Sequence, residues 1–376
     1  MSILFEPLTI GDLTLPNRIV MAPLTRCRAG KSRVPNVMMR DYYTQRASAG
    51  LMLTEATIVS PQGAGYHGTA GIWNDDQVRG WEMVTDSVHR AGGRFFLQLW
   101  HCGRVSDPEF HGGAAPVAPS AVLPAGRVML LRPFRPYVTP RALETHEVEA
   151  IIDDFRRGAV NAKRAGFDGV EIHAANGYLI DQFLQDKTNR RTDRYGGSIE
   201  NRGRFLMEIV DACAEVWGPK RVGVHLRPRM EEHDMGDSNP RALFTHVAAE
   251  LGARGIGFLF IREIWGEDSL LPEMKRRFGG AVICNELMSA ADGERLINAG
   301  FADAVAFGRD YIANPDLVER IRTGAALTPA DTATFFTSGS RGYHDYLTLA
   351  EICEGKVRRP DPAAEPLADD LGWYSR

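Results

Sequence analysis

Short apolar runs rich in β-branched and aromatic residues recur along the chain, and between them lie segments whose apolar positions return every three or four residues. The first pattern suits buried strands and the second suits helices that cover them. The runs fall at Ile19–Pro23, Leu51–Glu55, Arg94–Trp100, Gly169–His173, Val222–Leu226, Gly257–Ile261, Ala281–Cys284 and Ala302–Phe307. Segments such as Asp75–Ala91 and His146–Ala165 carry the helical period between them. Repeated strand-helix units of this number predict an α/β fold, a closed (β/α)8 TIM barrel. An open doubly wound sheet is the rival, but it needs fewer repeats, and no Gly-x-Gly-x-x-Gly turn follows the first strand.

Two features fall outside the repeat. Leu8-Thr9-Ile10 and Leu13-Thr14-Leu15 flank Gly11-Asp12, a two-residue connection suited to a type II′ hairpin. An N-terminal β-hairpin there can plug the barrel floor. From Gly103 to Pro140 the chain is rich in Pro, Gly and Ala without clear periodicity, which predicts a structured flap after the third strand. The reading is one domain over residues 1–358, with a Pro- and Asp-rich tail over 359–376.

Composition narrows the function classes. With 376 residues, 44% hydrophobic and 24% charged, the chain has material for a large core. A net charge of -4, with bases scattered among acids, predicts no nucleic-acid partner and no membrane-surface partner. No long uncharged apolar run and no secretory signal are seen, so a cytoplasmic enzyme is expected. Cys27, Cys102, Cys213, Cys284 and Cys353 are odd in number and lack a Cys-x-x-Cys pair, which predicts reduced thiols and neither disulfides nor a zinc site.

In a TIM barrel, reactive groups sit on the loops that follow the strands. One strand end stands out, Glu171-Ile172-His173-Ala174-Ala175-Asn176-Gly177-Tyr178, where a histidine, an amide and a phenol converge. A strand-end histidine is often only structural, and His-x-x-Asn is not a metal-ligand spacing by itself. Chemically, His173 and Asn176 can each donate a hydrogen bond to one oxygen, which suits a carbonyl that becomes an enolate. Tyr178 stays protonated at neutral pH and can serve as an acid toward a carbanion-like carbon.

The stretch from His173 to Tyr178, continuing through Asp181-Gln182-Phe183 to Asn189, Arg194-Tyr195-Gly196-Gly197-Ser198 and Glu200-Asn201-Arg202, resembles the old yellow enzymes. The resemblance extends over Asn17-Arg18-Ile19-Val20-Met21-Ala22-Pro23-Leu24-Thr25-Arg26, Thr54-Glu55-Ala56-Thr57, Gln98-Leu99-Trp100-His101, Phe307-Gly308-Arg309 and Gly342-Tyr343. It implies tightly but non-covalently bound FMN across the barrel mouth, reduced by NADPH or NADH. Hydride would then pass from flavin N5 to the β-carbon of an activated alkene such as an enone, enal, maleimide or nitroalkene. In this reading Tyr178 protonates the α-carbon, while His173 and Asn176 hold the substrate oxygen. The resemblance places Pro23, Leu24, Thr25 and Ala56 against the isoalloxazine, Gln98 on its pyrimidine edge, and Gly308 with Arg309 at the phosphate. Trp100 becomes a pocket wall, with Tyr66, Tyr343 and Phe336 completing an aromatic pocket. Thr25, where another branch carries cysteine, sets the chain with the ene reductases; Cys27 lies two residues too late.

The chain departs from the family pattern at three places. His225 stands where a fifth-strand arginine is expected at flavin N1, and Arg227 follows two residues on. His225 is therefore expected to be partly protonated beside reduced FMN. Asn285-Glu286-Leu287 replaces a glycine-rich phosphate turn, so the Glu286 carboxylate must face away from the phosphate; Asp310 replaces a proline. Competing readings are a nitrate ester or nitroaromatic reductase on the same scaffold, a metal hydrolase using His101, His173 and His225, and a degenerate flavin-binding protein. Monomer and homodimer are both compatible with the sequence.

Overall fold

The computed structural model describes residues 2–128, 130–131 and 133–358. The expected tail over 359–376 lies outside the described residues. Eight parallel strands close on themselves: β1 (Ile19–Met21), β2 (Leu51–Leu53), β3 (Phe95–Trp100), β4 (Gly169–Ala174), β5 (Val222–Leu226), β6 (Phe258–Arg262), β7 (Ala281–Asn285) and β8 (Ala304–Phe307). Each pairs with its sequence neighbour, β8 returns to β1, and a short strand Thr57–Ile58 adds to β3. This is the (β/α)8 barrel that the repeat predicts.

Around it lie α1 (Val37–Thr44), α2 (Asp75–Arg90), α3 (Thr145–Arg164), α4 (Ile199–Trp217), α5 (Pro240–Ala253), α6 (Leu271–Phe278), α7 (Ala290–Asn298) and α8 (Leu317–Thr323). Their starts follow from local chemistry. The Asn74 side chain accepts from the Gln77 N–H at the head of α2, and Asp75 and Asp76 complement the helix dipole there. On α2 Val78, Trp81, Val84, Thr85 and Val88 are buried, a stripe at helical spacing facing the barrel. None of the described helices is long and apolar enough to cross a membrane.

Strand alternation sorts the core into two shells. Leu97, Leu99, Val170, Ile172, Val222, Val224, Leu259, Ile261 and Val282 join the large cluster under the helices. Their alternates Val20, Leu51, Leu53, Phe96, Phe258, Phe260, Ile283, Ala304 and Ala306 fill the barrel interior. Two strand glycines make room for that filling: a Cβ on Gly223 would lie 2.2 Å from the Phe258 ring, and one on Gly169 would lie 2.4 Å from Phe96.

The hairpin pairs Leu8–Ile10 with Leu13–Leu15, and Ile10 and Leu15 are buried in the interior cluster, closing the floor as expected. Gly11 has φ of 62°, the positive value that the first central residue of a type II′ turn requires. The flap after β3 carries a 3-10 turn at Pro108–His111 and a two-residue strand Val117–Ala118 paired with Arg141–Ala142. Its Val105, Val128, Leu131 and Tyr137 pack with Tyr66 and Trp100 above the mouth.

Candidate active site

The inward row of β3 is Phe96, Gln98, Trp100, and that of β4 is Gly169, Glu171, His173; Gln98 pairs in register with Glu171. His173 in turn pairs with His225 on β5. Each row runs from apolar filling at the floor to polar or aromatic groups at the C-terminal mouth, where a TIM barrel places its chemistry.

At that mouth His173 lies between two flat rings, stacked on His225 with centroids 5.2 Å apart and on Trp100 at 6.2 Å. Tyr178 stands edge-on to Trp100 at 4.8 Å and to His173 at 5.1 Å. The Tyr66 ring stacks on Trp100, and its hydroxyl is 3.1 Å from the Tyr178 hydroxyl. His173, Trp100, Tyr66 and Tyr178 thus form one aromatic pocket, with Tyr178 and Asn176 half-buried at its opening.

The loop that presents them is held from behind. Asn176 and Gly177 have φ of 58° and 76°, so the chain turns sharply after β4. The buried Asp181 carboxylate accepts from the Gly177 N–H at 2.9 Å, and the Gln182 amide donates to the Gly177 carbonyl at 2.7 Å. Burial pushes Asp181 up to about 6. Sequence reasoning quoted Asp181 and Gln182 without assigning them this work.

Burial, with the Arg262 charge beside it, holds the His173 pKa down at about 3, so the ring is neutral at ordinary pH. Its Nδ1 accepts from the Ala175 N–H at 3.4 Å, which leaves Nε2 to carry the proton. The Asn176 Nδ2 lies 3.4 Å from that Nε2. Two N–H donors side by side have no use for one another, but together they suit a shared oxygen acceptor.

Deeper in the barrel, Gln98 Nε2 donates to Glu171 Oε2 at 2.6 Å and lies 3.2 Å from His225 Nδ1. Burial raises Glu171 to about 8, so its carboxyl is protonated at neutral pH. Burial, then His173, Arg262 and Arg227, hold the His225 pKa well below the ordinary histidine value, which favours the neutral ring. With Nδ1 turned to Gln98, the buried His225 Nε2 has no hydrogen-bond partner among the described residues.

That orphaned donor tests the fit of FMN. A buried N–H needs an acceptor, and an oxidised pyrimidine edge offers one. Pro23, Leu24 and Thr25 are half-buried after β1, while Arg309 is exposed beside Gly308 and makes no ion pair with the described residues. An apolar and polar mouth with a spare donor at one end and a free cation at the other fits a flavin with a phosphate.

Two expected cofactor contacts are engaged elsewhere. The Arg227 guanidinium pairs with Glu232 at 3.1 Å, and the Asn285 amide donates to the Ala306 carbonyl at 2.8 Å. A residue that sequence reasoning missed stands between them. Arg262, the last residue of β6, follows Phe260 on the inward face, pairs with Glu286, and donates from Nη1 to Asn176 Oδ1 at 3.2 Å. The Glu286 carboxylate is thereby neutralised.

The aromatic pocket also differs from expectation. Tyr343 is fully buried and stacks on Tyr42 at 4.3 Å under Arg26 and Arg28, so it lines a different cluster. Phe336 packs with Leu24 and Phe335 on the β1 side. Ala56 is buried in the cluster that holds Trp100 and Tyr66. Among the described residues no three His, Cys, Asp or Glu converge as metal ligands, and His101, His173 and His225 form no such set. All five cysteines are free.

The chain is similar to known flavin oxidoreductases. Residues 3–328 match the model of the NADH:flavin oxidoreductase / NADH oxidase family. The chain is 41% identical over 356 residues to a probable flavin mononucleotide-dependent alkene reductase of Leishmania infantum, covering 92% of this chain and 97% of that protein. It superposes on the old yellow enzyme homologue of Zymomonas mobilis with a TM-score of 0.90 at 42% identity, covering 92% of this chain and 99% of that one. Morphinone reductase, solved in complex with tetrahydroNAD, gives a TM-score of 0.89 at 49% identity over 92% of this chain and 97% of that chain.

Proposed function

The chain belongs to the old yellow enzyme family, and from that premise we propose that it reduces activated alkenes such as enones, enals, maleimides or nitroalkenes. It is an NAD(P)H-dependent flavin oxidoreductase with FMN as cofactor. Pro23, Leu24, Thr25, Ala56, Gln98, His225, Gly308 and Arg309 would hold the FMN, which supplies hydride at N5 for the β-carbon of the alkene.

The observation that carries the proposal is the pair of converging donors, His173 Nε2 and Asn176 Nδ2, 3.4 Å apart, with the Tyr178 ring edge-on to the His173 ring at 5.1 Å. They bind the carbonyl or nitro oxygen, and their bonds strengthen as negative charge gathers there. Because His173 is neutral, it donates a hydrogen bond without surrendering a proton to the oxygen. Tyr178 then delivers its phenolic proton to the α-carbon, and its oxygen is steadied by Tyr66 at 3.1 Å until solvent returns a proton. Trp100 and Tyr66 wall the pocket and exclude water from the carbanion-like carbon.

Tyr178→Phe tests this division of labour. Alkene reduction with cyclohexenone is expected to fall by roughly 10²- to 10⁴-fold, the usual contribution of a positioned acid. Reduction of FMN by NADPH should be unchanged, because it needs no proton from Tyr178. Wild-type alkene turnover in Tyr178→Phe would contradict the assignment.

A further inference from the structure

An asparagine amide is nearly symmetric in shape but opposite in function at its two ends: Oδ1 accepts and Nδ2 donates. A half-turn about its last side-chain bond would aim Oδ1 at the substrate oxygen and replace an attraction by a repulsion. Nothing in Asn176 itself chooses between the two. We infer that Arg262 makes that choice, as the positioning residue that turns the Asn176 amide nitrogen toward the His173 Nε2. The inference rests on the functional reading above and concerns a residue outside the set that touches substrate.

Geometry supports it from three sides. Arg262 Nη1 lies 3.2 Å from Asn176 Oδ1, and a guanidinium offers donors only, so the contact is favourable in just one orientation of the amide. Arg262 closes the inward row of β6 directly above Phe260, which pairs in register with His225, so its side chain issues from the rigid barrel wall at the mouth. Glu286 then anchors the guanidinium through an ion pair to Nε. Glu286 does so from a backbone with φ of 111°, in the region that favours glycine, and Leu287 after it has φ of 52°. Strain of this kind persists where the surroundings over-determine it and gathers at functional sites. Here it places a carboxylate where Arg262 needs one. The second arginine at this mouth, Arg227, is taken by Glu232.

The test uses the FMN-loaded enzyme and cyclohexanone, which has the carbonyl but no alkene, with binding read from the perturbed visible spectrum of the oxidised flavin. Arg262→Ala should weaken cyclohexanone binding by roughly tenfold or more, as expected for a lost charge-assisted hydrogen bond. Arg262→Gln, which keeps one donor, should recover part of that loss. In an Asn176→Ala background the Arg262→Ala change should add less than about twofold, because the two residues act as one unit. Additive losses in the double variant would overturn the inference, as would Arg262→Ala binding the ketone within about twofold of wild type while wild type still reduces cyclohexenone. If wild type itself neither binds cyclohexanone nor reduces cyclohexenone, the functional reading fails and takes the inference with it.

Discussion

At His173 the protonation state decides what the site can do. Burial and the Arg262 charge hold its pKa at about 3, so the neutral ring with its proton on Nε2 persists through the physiological range. Binding of cyclohexanone to the oxidised enzyme should therefore show no histidine titration between about pH 5 and 8; a break near pH 6.5 would show that His173 becomes charged in the site. His225 makes a parallel case. Its neutral Nε2 has no hydrogen-bond partner among the described residues, so His225→Phe should weaken FMN affinity, read by ultrafiltration, by about fivefold or more for the loss of one buried donor. Legibility at this scale follows contiguity. His173, Asn176 and Tyr178 are one short stretch of sequence, and their grouping was readable. Arg262 was not, because the sixth strand was read as ending at Ile261; one more residue of strand puts a charge on the inward face. Tyr343 was misplaced because a motif says nothing about burial, and burial is what sets it against Tyr42.

Among the elements, the hairpin and the barrel floor are coupled through one glycine. Gly11 has φ of 62°, and a Cβ there would lie 2.0 Å from the Lys220 carbonyl just before β5. Gly11→Ala combines left-handed strain with a backbone clash and should cost roughly 3 kcal/mol, measured by urea unfolding. The turnover of the folded fraction should be unaltered, since the hairpin sits at the end opposite the mouth. A variant as stable as wild type would mean that the floor is looser than the packing shows. All eight barrel strands were legible from apolar runs, because strands covered on both faces read as near-continuous hydrophobic stretches. The short strand Thr57–Ile58 and the pairing of Val117–Ala118 with Arg141–Ala142 were not, since two residues carry no period. The flap was expected as structured, but its packing on Tyr66 and Trp100 depends on contacts that sequence spacing cannot rank.

For the whole molecule, the polar layer inside the barrel links stability to pH. Glu171 titrates near 8 in the folded chain against an ordinary 4.5, because burial penalises its charge. The folded state thus favours the protonated form. The stability this contributes is fully present below pH 4.5 and is lost as pH rises through about 8, at up to about 1.4 kcal/mol per pH unit. Glu171→Gln keeps an acceptor for Gln98 and removes the charge, so the difference in urea stability between it and wild type should grow in its favour across that window. A flat difference would show that Glu171 ionises freely. The composition names no reaction, and only the strand-end motif carries the chemistry into view.

The central claim, that this barrel passes hydride through FMN to an activated alkene, is tested most directly by anaerobic spectroscopy of the purified yellow protein. NADPH should bleach the flavin absorbance, and stoichiometric cyclohexenone should restore it with cyclohexanone as product. A flavin that bleaches and stays bleached when cyclohexenone or a maleimide is added would contradict the account.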